Sequence, residues 1–332
     1  MFEERQRRAP PAELIRGLAV FAEPPTEEHA RLAEAVELPG PPTPADYSDV
    51  FLFQLYPYAS VHLGPEGMLG GEARARVDGF WRALGYDPPT EPDHLAALLG
   101  LYATLAEAEA DRGGEASGED GVPARMRDGG GEGPEAGGDQ EGAVEAERRL
   151  VGEGRRALLH EHLSPWVFPF LARVSELAGE PYSSWAQLLA RVLQAEVEAS
   201  PEAQGLPLHL RVAPELPDPR EEGAGAFVAG LLAPVRSGII LTRADLASVA
   251  AACDVGLRAG ERRYALEHLL AQDGEEVLKS LGREARRQAE LHAGRESWLG
   301  ATAAFLERRA RTTADLLDTL AEEESAREVV SS

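Results

Sequence analysis

Asp93 and His94 are the side chains whose types and placement first suggest chemistry. They stand next to each other in "TEPDHLAALLGLY", residues 90–102, at the start of an apolar helical pattern. Thr90 and Asp93 have the spacing of a capping box, in which each side chain accepts a hydrogen bond from the other residue's backbone N–H. This local pattern predicts a helix that begins at the motif, with Asp93 in its first turn.

The cap also explains Pro92, because a proline in the first turn of a helix needs no N–H partner. It leaves His94 unexplained. An imidazole beside the positive end of a helix dipole is expected to be neutral. Glu91 and Asp93 would attract a cationic partner at the same place. The pair is therefore a helix cap, a catalytic pair or a surface that another protein contacts. A cap at Asp93 is compatible with a partner that contacts Glu91 and His94.

The remaining candidates for catalysis or metal binding are weak. His160 and His162 lie two residues apart, so on a helix they point in nearly opposite directions. The sequence has no G-x-S-x-G or H-E-x-x-H motif, and its one cysteine, Cys253, has no evident histidine partner. A hydrolase or metalloenzyme built on these histidines with Asp93 and His94 is the least supported hypothesis. We expect a protein that is not an enzyme and has no metal or cofactor of its own.

Charge and hydropathy narrow the classes further. The 332-residue chain has a net charge of −24, which argues against unselective binding to nucleic acid or to anionic membranes. No apolar run approaches the roughly 18 residues that a membrane span needs. Arg7 and Arg8 are followed by prolines and then by a charged helical pattern, which is not typical of an export signal. The sequence therefore predicts a cytoplasmic protein.

Helical periodicity recurs along the chain and predicts an all-α fold. One apolar face consists of Val77, Phe80, Trp81 and Leu84, and the next helix repeats the pattern from Leu95 to Leu105. "SGIILT", residues 237–242, is the one short strand candidate. The segment 111–142 has 11 glycines and almost no large apolar side chain, so we predict a disordered, acidic linker there. The predicted division is an N-terminal helical subdomain, the linker, a second helical subdomain, a proline-rich connector and a helical C-terminal extension, at 1–110, 111–142, 143–200, 201–226 and 227–332.

Residues 242–272 have the outline of a helix-turn-helix. Thr242 and Asp245 form another capping-box pattern, and Gly256 suits the turn. Between Arg236 and Arg263 there are five arginines against three acids, a weak basic footprint for a DNA-binding element. A helical hairpin that packs on its neighbours is favoured. A transcriptional regulator is the alternative function, although nucleic acid is not the expected partner.

Four segments in order resemble the TorD/DmsD/NarJ-like redox-enzyme maturation chaperones. They are "PYASVHLGPEGMLGGEARARVDGFWRALG", "EPDHLAALLGLYATLAE", "LLHEHLSPWVFPFLARV" and "PYSSWAQLLARV". The most specific parts are an E-P-x-D-H-type motif and an H-L-x-P-W run, formed by Glu91, Pro92, Asp93, His94 and by His162, Leu163, Pro165, Trp166. The resemblance covers about residues 12–198.

The resemblance implies a TorD-like helical bundle of two halves, joined here by the flexible acidic linker and followed by the helical extension. It implies a cytoplasmic chaperone that binds an apo-molybdoenzyme catalytic subunit and its twin-arginine signal peptide until the molybdenum cofactor is inserted. The family's binding surface maps onto Glu91, Asp93 and His94 and onto an aromatic-rich face at Tyr58, Ser60, Val61, Phe80 and Trp81. Pro92, His162, Leu163, Pro165 and Trp166 are expected to be structural.

The chain departs from the family pattern in three places. His62 follows Ser60–Val61 where relatives often have tyrosine. The linker lies between the two helical halves, where the family is known for hinge flexibility and domain-swapped homodimers. The final third, from about Gly205, lies outside the resemblance.

Overall fold

The computed structural model describes residues 11–115, 137–200, 205–258 and 260–331. Within these ranges the chain is helical, with an isolated bridge between Tyr58 and His94 and no β-strand. The all-α prediction is confirmed. Among the described residues, no helix has both the length and the apolar character that a bilayer span requires.

The first part of the chain contains six α-helices, a 3₁₀ turn at Val20–Ala22 and a π-helical turn at Ser48–Leu52. The helices are α1 (Pro11–Ala19), α2 (Glu27–Ala35), α3 (Pro44–Tyr47), α4 (Ala59–Leu63), α5 (Gly71–Ala83) and α6 (Leu95–Glu115). The apolar periodicity explains α6, because Leu95, Leu98, Leu99, Tyr102 and Leu105 are all buried.

The second part adds α7 (Gly137–Ala157), a π-helical turn at Leu158–Leu163, α8 (Ser164–Leu177) and α9 (Tyr182–Ala199). Its helices share one core with the first part. Phe51 packs edge-on against Tyr182 with ring centroids 4.9 Å apart. The indole N–H of Trp185 donates to the carbonyl of Leu18 at 2.9 Å. The two halves of the predicted bundle are thus joined through large buried aromatic side chains.

Helix extends into both ends of the predicted linker 111–142. Helix α6 ends at Glu115 and α7 begins at Gly137. The rest of the predicted linker lies outside the described residues.

The C-terminal third has a second hydrophobic core. Its helices are α10 (Leu208–Arg211), α11 (Pro219–Glu222), α12 (Ala224–Leu231), α13 (Pro234–Ser237), α14 (Arg243–Ala252), α15 (Arg262–Gln272), α16 (Gly274–Ala293), α17 (Glu296–Leu299) and α18 (Ala301–Ser331). Two of the short helices, α10 and α11, and the start of α12 lie in the proline-rich connector predicted as irregular. Asp218 accepts from the N–H of Arg220, so a proline-containing turn is locally capped there.

The strand candidate at residues 237–242 is wrong. The segment is buried but pairs with a side chain instead of a strand: the amide of Gln288, on α16, accepts from the N–H of Ile240 at 2.9 Å and donates to its carbonyl at 3.0 Å. One glutamine therefore satisfies both backbone groups of Ile240, which a neighbouring strand would otherwise do.

The C-terminal extension is attached to the first core by a buried ionic cluster. Arg173 of α8 is 3% exposed and donates to Asp245 and Glu176, with Glu284 3.8 Å away. Arg287 of α16 contacts Glu176 and Glu284, each at 2.7 Å. The cluster thereby connects α8 with both α14 and α16.

The helix-turn-helix outline forms a packed hairpin. The capping box at Thr242 and Asp245 is present, with the Thr242 N–H donating to Asp245 at 2.7 Å. Asp245 also forms an ion pair with Arg173, so the first turn of α14 is engaged in a contact within the protein. On the exposed face of α15, Arg263 pairs with Glu267 at 3.0 Å.

Candidate functional site

A short antiparallel backbone contact holds the E-P-x-D-H-type motif in place. The N–H of Leu95 donates to the carbonyl of Pro57 at 2.8 Å, and the N–H of Ala59 donates to the carbonyl of Asp93 at 2.9 Å. These bonds bring the residues before α4 beside the residues before α6. The motif is therefore positioned by a segment more than thirty residues earlier in the chain.

Asp93 is buried and caps a different helix from the one predicted. Its side chain is 1% exposed and accepts from the N–H of Ser60, in the first turn of α4, at 3.1 Å. Arg74 Nε lies 3.8 Å from its other oxygen. The predicted capping box with Thr90 is wrong, because Thr90 is exposed and α6 begins only at Leu95. Asp93 is not accessible to a partner in this conformation.

His94 occupies the cap position that had been assigned to Thr90. Its Nδ1 accepts from the N–H of Ala96 at 3.2 Å, in the first turn of α6. Nδ1 must be unprotonated to accept this bond, so the neutral imidazole is the form that caps the helix. Burial lowers the pKa of His94, against the opposing effect of Glu23, Glu91 and Asp93. The neutral state expected from the sequence agrees with this environment, although burial rather than the helix dipole is the main cause.

Glu91 is the exposed carboxylate of the motif. The hydroxyl of Tyr58 donates to its Oε2 at 2.9 Å, and the ring of Tyr58 packs edge-on against His94 with centroids 4.8 Å apart. Burial and the neighbouring Glu91 raise the pKa of Tyr58, so its hydroxyl stays protonated and able to donate. One carboxylate oxygen of Glu91 is fixed, and the residue faces solvent.

Trp81 and Arg74 fix the backbone of the same loop. The indole N–H of Trp81 donates to the carbonyl of Pro92 at 3.2 Å, and Arg74 donates to the carbonyl of Thr90 at 2.7 Å. Loop positions on both sides of Glu91 are thus tied to α5. This arrangement fixes the direction in which Glu91 points before any partner arrives.

An open groove of about 690 Å³ runs past these side chains. Glu23 and Glu91 supply negative charge, and His94 lies 3.4 Å from Glu23. Thr90 and Thr104 also line the groove, together with the apolar and small residues Trp81, Tyr86, Pro89, Ala96, Ala97, Gly100 and Leu101. A Cβ at Gly100 would meet nothing within 4 Å, so the helix surface there is open to a close approach. The groove combines carboxylates with a shallow apolar floor.

The structure brings only part of the predicted binding surface to this groove. Glu91, His94 and Trp81 line it, and Tyr58 supports it from behind. Ser60 and Val61 are buried, at 0% and 5% exposure, and contribute to the fold instead. Phe80 turns away and packs on His162, with ring centroids 4.5 Å apart.

The residues expected to be structural are all buried: Pro92, His162, Leu163, Pro165 and Trp166. The indole N–H of Trp166 donates to the carbonyl of His162 at 2.8 Å, across the end of the π-helical turn. Burial lowers the pKa of His162 to about 3, with a smaller contribution from His209. The H-L-x-P-W run therefore packs the junction between α7 and α8.

His62, the first of the three departures from the family pattern, lies in the core. Its ring stacks on Trp166 at 5.0 Å, and Nε2 bonds to the carbonyl of Tyr56 at 3.0 Å. Burial lowers its pKa to about 4. The departure therefore affects packing beneath the C-terminal extension and not the groove.

The hypothetical metal or hydrolase site gains no support. The Nε2 atom of His160 bonds to the hydroxyl of Ser200 at 3.0 Å, while His162 is packed among aromatic rings. Across the described part of the chain, no group of three or more His, Cys, Asp or Glu side chains is arranged to hold a metal ion.

Two groove features were missed from the sequence. Glu23 follows the 3₁₀ turn after α1, and nothing local connects it with a motif nearly seventy residues later. The helical pattern of α6 is defined by its large apolar residues and does not indicate Ala96, Ala97 and Gly100. The clustering of small residues on the opposite side of that helix was the available signal.

The comparisons with known proteins agree with the motif resemblance. The family model described as "Nitrate reductase delta subunit" matches residues 21–126, which include Glu23 and the whole E-P-x-D-H-type motif. No curated protein and no solved structure matches the chain.

The match confirms the resemblance to the NarJ/TorD-like chaperone family over residues 21–126. That family consists of chaperones for the maturation of molybdoenzymes. The groove lies within the matched region, whereas the C-terminal third lies outside it.

Proposed function

We propose that the chain is a cytoplasmic chaperone for a molybdenum-cofactor oxidoreductase. It binds the twin-arginine signal peptide and the apo catalytic subunit of its client until the cofactor has been inserted. The observation that carries the proposal is the groove, in which exposed carboxylates stand beside an apolar helix surface within the family-matched region.

The chemistry of the groove suits such a peptide. A twin-arginine signal has two guanidinium groups followed by an apolar, helix-forming stretch. Guanidinium groups form their strongest contacts with carboxylates, and Glu91 and Glu23 offer these at one end of the groove. An apolar helix binds in a groove through its apolar face, which Trp81, Tyr86 and Ala97 can cover.

The small residues of α6 matter because they set how closely the peptide can lie. With Ala96, Ala97 and Gly100 on its exposed side, α6 offers no long side chain that would hold a second helix away. Close approach increases the number of van der Waals contacts per turn. The net charge of −24 adds long-range attraction for a cationic peptide, and this attraction weakens with salt.

A calorimetric titration tests the proposal. The purified chain is titrated with twin-arginine signal peptides from molybdoenzymes of the same organism, and each peptide is repeated with both arginines replaced by lysine. We expect one native peptide to bind and its lysine form to bind about tenfold more weakly or worse, because lysine loses the bidentate contact.

Variants locate the contact. Glu91→Gln should weaken the native peptide about tenfold, since one charge-assisted contact is lost. Asp315→Asn, an exposed acid on α18 outside the groove, is the matched control and should bind as the wild type does. If none of the native peptides binds, or if Glu91→Gln binds as tightly as the control, the groove is not the signal-peptide site.

A further inference from the structure

A second pocket is lined by none of the residues of the E-P-x-D-H-type motif. It has a volume of about 360 Å³ and is formed where the π-helical turn Ser48–Leu52 meets the end of α8, the start of α9 and Ala244 of α14. Its polar lining includes Asp46, Asp49 and Tyr182. None of the residues that line it is basic.

Tyr182 is the unusual member of this lining. Its side chain is 1% exposed, and its hydroxyl has no hydrogen-bond partner among the described residues. Buried polar groups are nearly always paired, since leaving one unpaired is costly. Tyr182 lines the pocket, and the negative charge of Asp46 acts on its hydroxyl. An unsatisfied buried hydroxyl at a pocket wall indicates a missing polar partner from outside the chain.

No basic residue of the pocket lining neutralises the two carboxylates. Asp46 uses one oxygen, Oδ2, to accept from the N–H and hydroxyl of Thr43, at 2.8 and 2.7 Å. Its other oxygen is not used in that cap. Asp49 is exposed, on the π-helical turn. The lining of the pocket therefore presents carboxylate oxygens and a hydroxyl oxygen, which can all accept hydrogen bonds, and it includes no cationic side chain.

The rim of the pocket is apolar. Leu52 and Phe53 are large hydrophobic side chains that are 47% and 53% exposed, and Phe53 contributes to the lining. An exposed aromatic face beside carboxylates is suited to a guanidinium group, which can stack on a ring while it donates to oxygens in its own plane. A π-helical turn is a costly local geometry that occurs frequently at functional sites.

We propose that this pocket binds the side chain of an arginine in a polypeptide, with the guanidinium held by Asp46, Asp49 and the Tyr182 hydroxyl and the flanking apolar residues covered by Leu52 and Phe53. The exposed apolar rim selects a peptide over a free small cation, because it offers contact area that only neighbouring residues can use. The pocket shares no lining residue with the groove that carries the proposed function, so the two assignments stand or fall separately.

The test uses the full chain and a short probe without any signal sequence, acetyl-Leu-Arg-Leu-amide, in calorimetric titrations. The counterparts carry citrulline or lysine in place of arginine, and acetyl-arginine methylamide lacks the apolar flanks. We expect the arginine tripeptide to bind at least about tenfold more tightly than the citrulline form, which loses the charge, and more tightly than either of the other probes.

Two conservative variants locate the site. Asp49→Asn removes an exposed charge, and Tyr182→Phe removes a hydroxyl that makes no internal bond, so both should fold as the wild type does. Each should weaken the arginine tripeptide about tenfold, whereas Asp315→Asn should not change it. Equal binding of the arginine and citrulline probes would overturn the proposal. So would unchanged binding in both pocket variants, or a loss that appears in Glu91→Gln but not in Asp49→Asn.

Discussion

The buried position of Asp93 leads to a specific prediction about stability. Its carboxylate is the acceptor for the N–H of Ser60, a residue that is itself 0% exposed. Asp93→Ala leaves this N–H buried without a partner, which costs about 1–3 kcal/mol. Its 3.8 Å contact with Arg74 adds little, since the Arg74 side chain is 46% exposed and its charge is screened by water.

Two further variants separate this structural role from recognition. Asp93→Asn keeps an oxygen in place for the Ser60 N–H and should recover most of the lost free energy of unfolding. Glu91→Gln changes an exposed side chain and should alter the free energy of unfolding by less than about 0.5 kcal/mol. The signal-peptide affinity should show the reverse order, with Glu91→Gln affected more than Asp93→Asn.

Urea-induced unfolding, followed by far-ultraviolet circular dichroism, measures the first set of effects. Asp93→Ala should lower the unfolding midpoint without a change in slope. An Asp93→Ala protein as stable as the wild type would refute the assignment of Asp93 as the cap of α4. An Asp93→Asn protein as unstable as Asp93→Ala would show that its charge, and not the hydrogen bond, is what matters.

Three other outcomes are expected. Arg173→Met should lower the free energy of unfolding by about 3–5 kcal/mol in a denaturant titration, because it leaves the carboxylates of Asp245 and Glu284 without their buried cationic partner. A loss below about 1 kcal/mol would contradict this. Burial lowers the pKa of both His62 and His292 to about 4, so the unfolded chain takes up protons first as pH falls below about 6.5. The free energy of unfolding should therefore be highest above that pH and should decline down to about pH 4, by about 3 kcal/mol for each histidine. His62→Phe should make this decline smaller. A midpoint of thermal unfolding that stays constant from pH 7 to 4.5 would count against the prediction. Signal-peptide affinity should fall steadily as salt is raised from 50 to 300 mM (about a twofold change in Debye length), while a salt-independent affinity would exclude a role for the carboxylates.

The fold class was readable from the sequence because helical periodicity is a local property. Leu95, Leu98, Leu99 and Tyr102 recur at the spacing of one helix face, and burial of that face is what α6 requires. The resemblance added the prediction of a two-part helical bundle. It rests on the order of several motifs along the chain, which no single segment shows.

The details of the site were less predictable, since they depend on contacts between distant segments. Thr90, Pro92 and Asp93 satisfy every local rule for a helix cap. In the structure, however, Asp93 and Leu95 form hydrogen bonds with residues 57–60 instead. His94 then takes the cap position of α6. A tertiary hydrogen bond of this kind leaves no trace in the spacing of either segment.

The C-terminal third illustrates the same limit. The capping box of α14 was predicted from Thr242 and Asp245, but the sequence does not show that Asp245 also holds Arg173, 72 residues away. The side chain of Gln288 likewise replaces a strand partner for Ile240, a role that no periodicity encodes. The helices of the C-terminal third were predictable from the sequence, whereas the contacts that attach them to the rest of the protein were not.

Site-specific cross-linking tests whether the signal peptide lies in the groove beside Glu91, as proposed. A photoreactive benzoylphenylalanine is placed at Thr90, an exposed residue on the groove wall, or at Ala271, an exposed residue on α15. After irradiation with the twin-arginine peptide, mass spectrometry measures the cross-linked fraction. We expect a cross-link from Thr90 that is lost with the lysine peptide and is absent from Ala271. Equal cross-linking from both positions, or from neither when calorimetry shows binding, would contradict it.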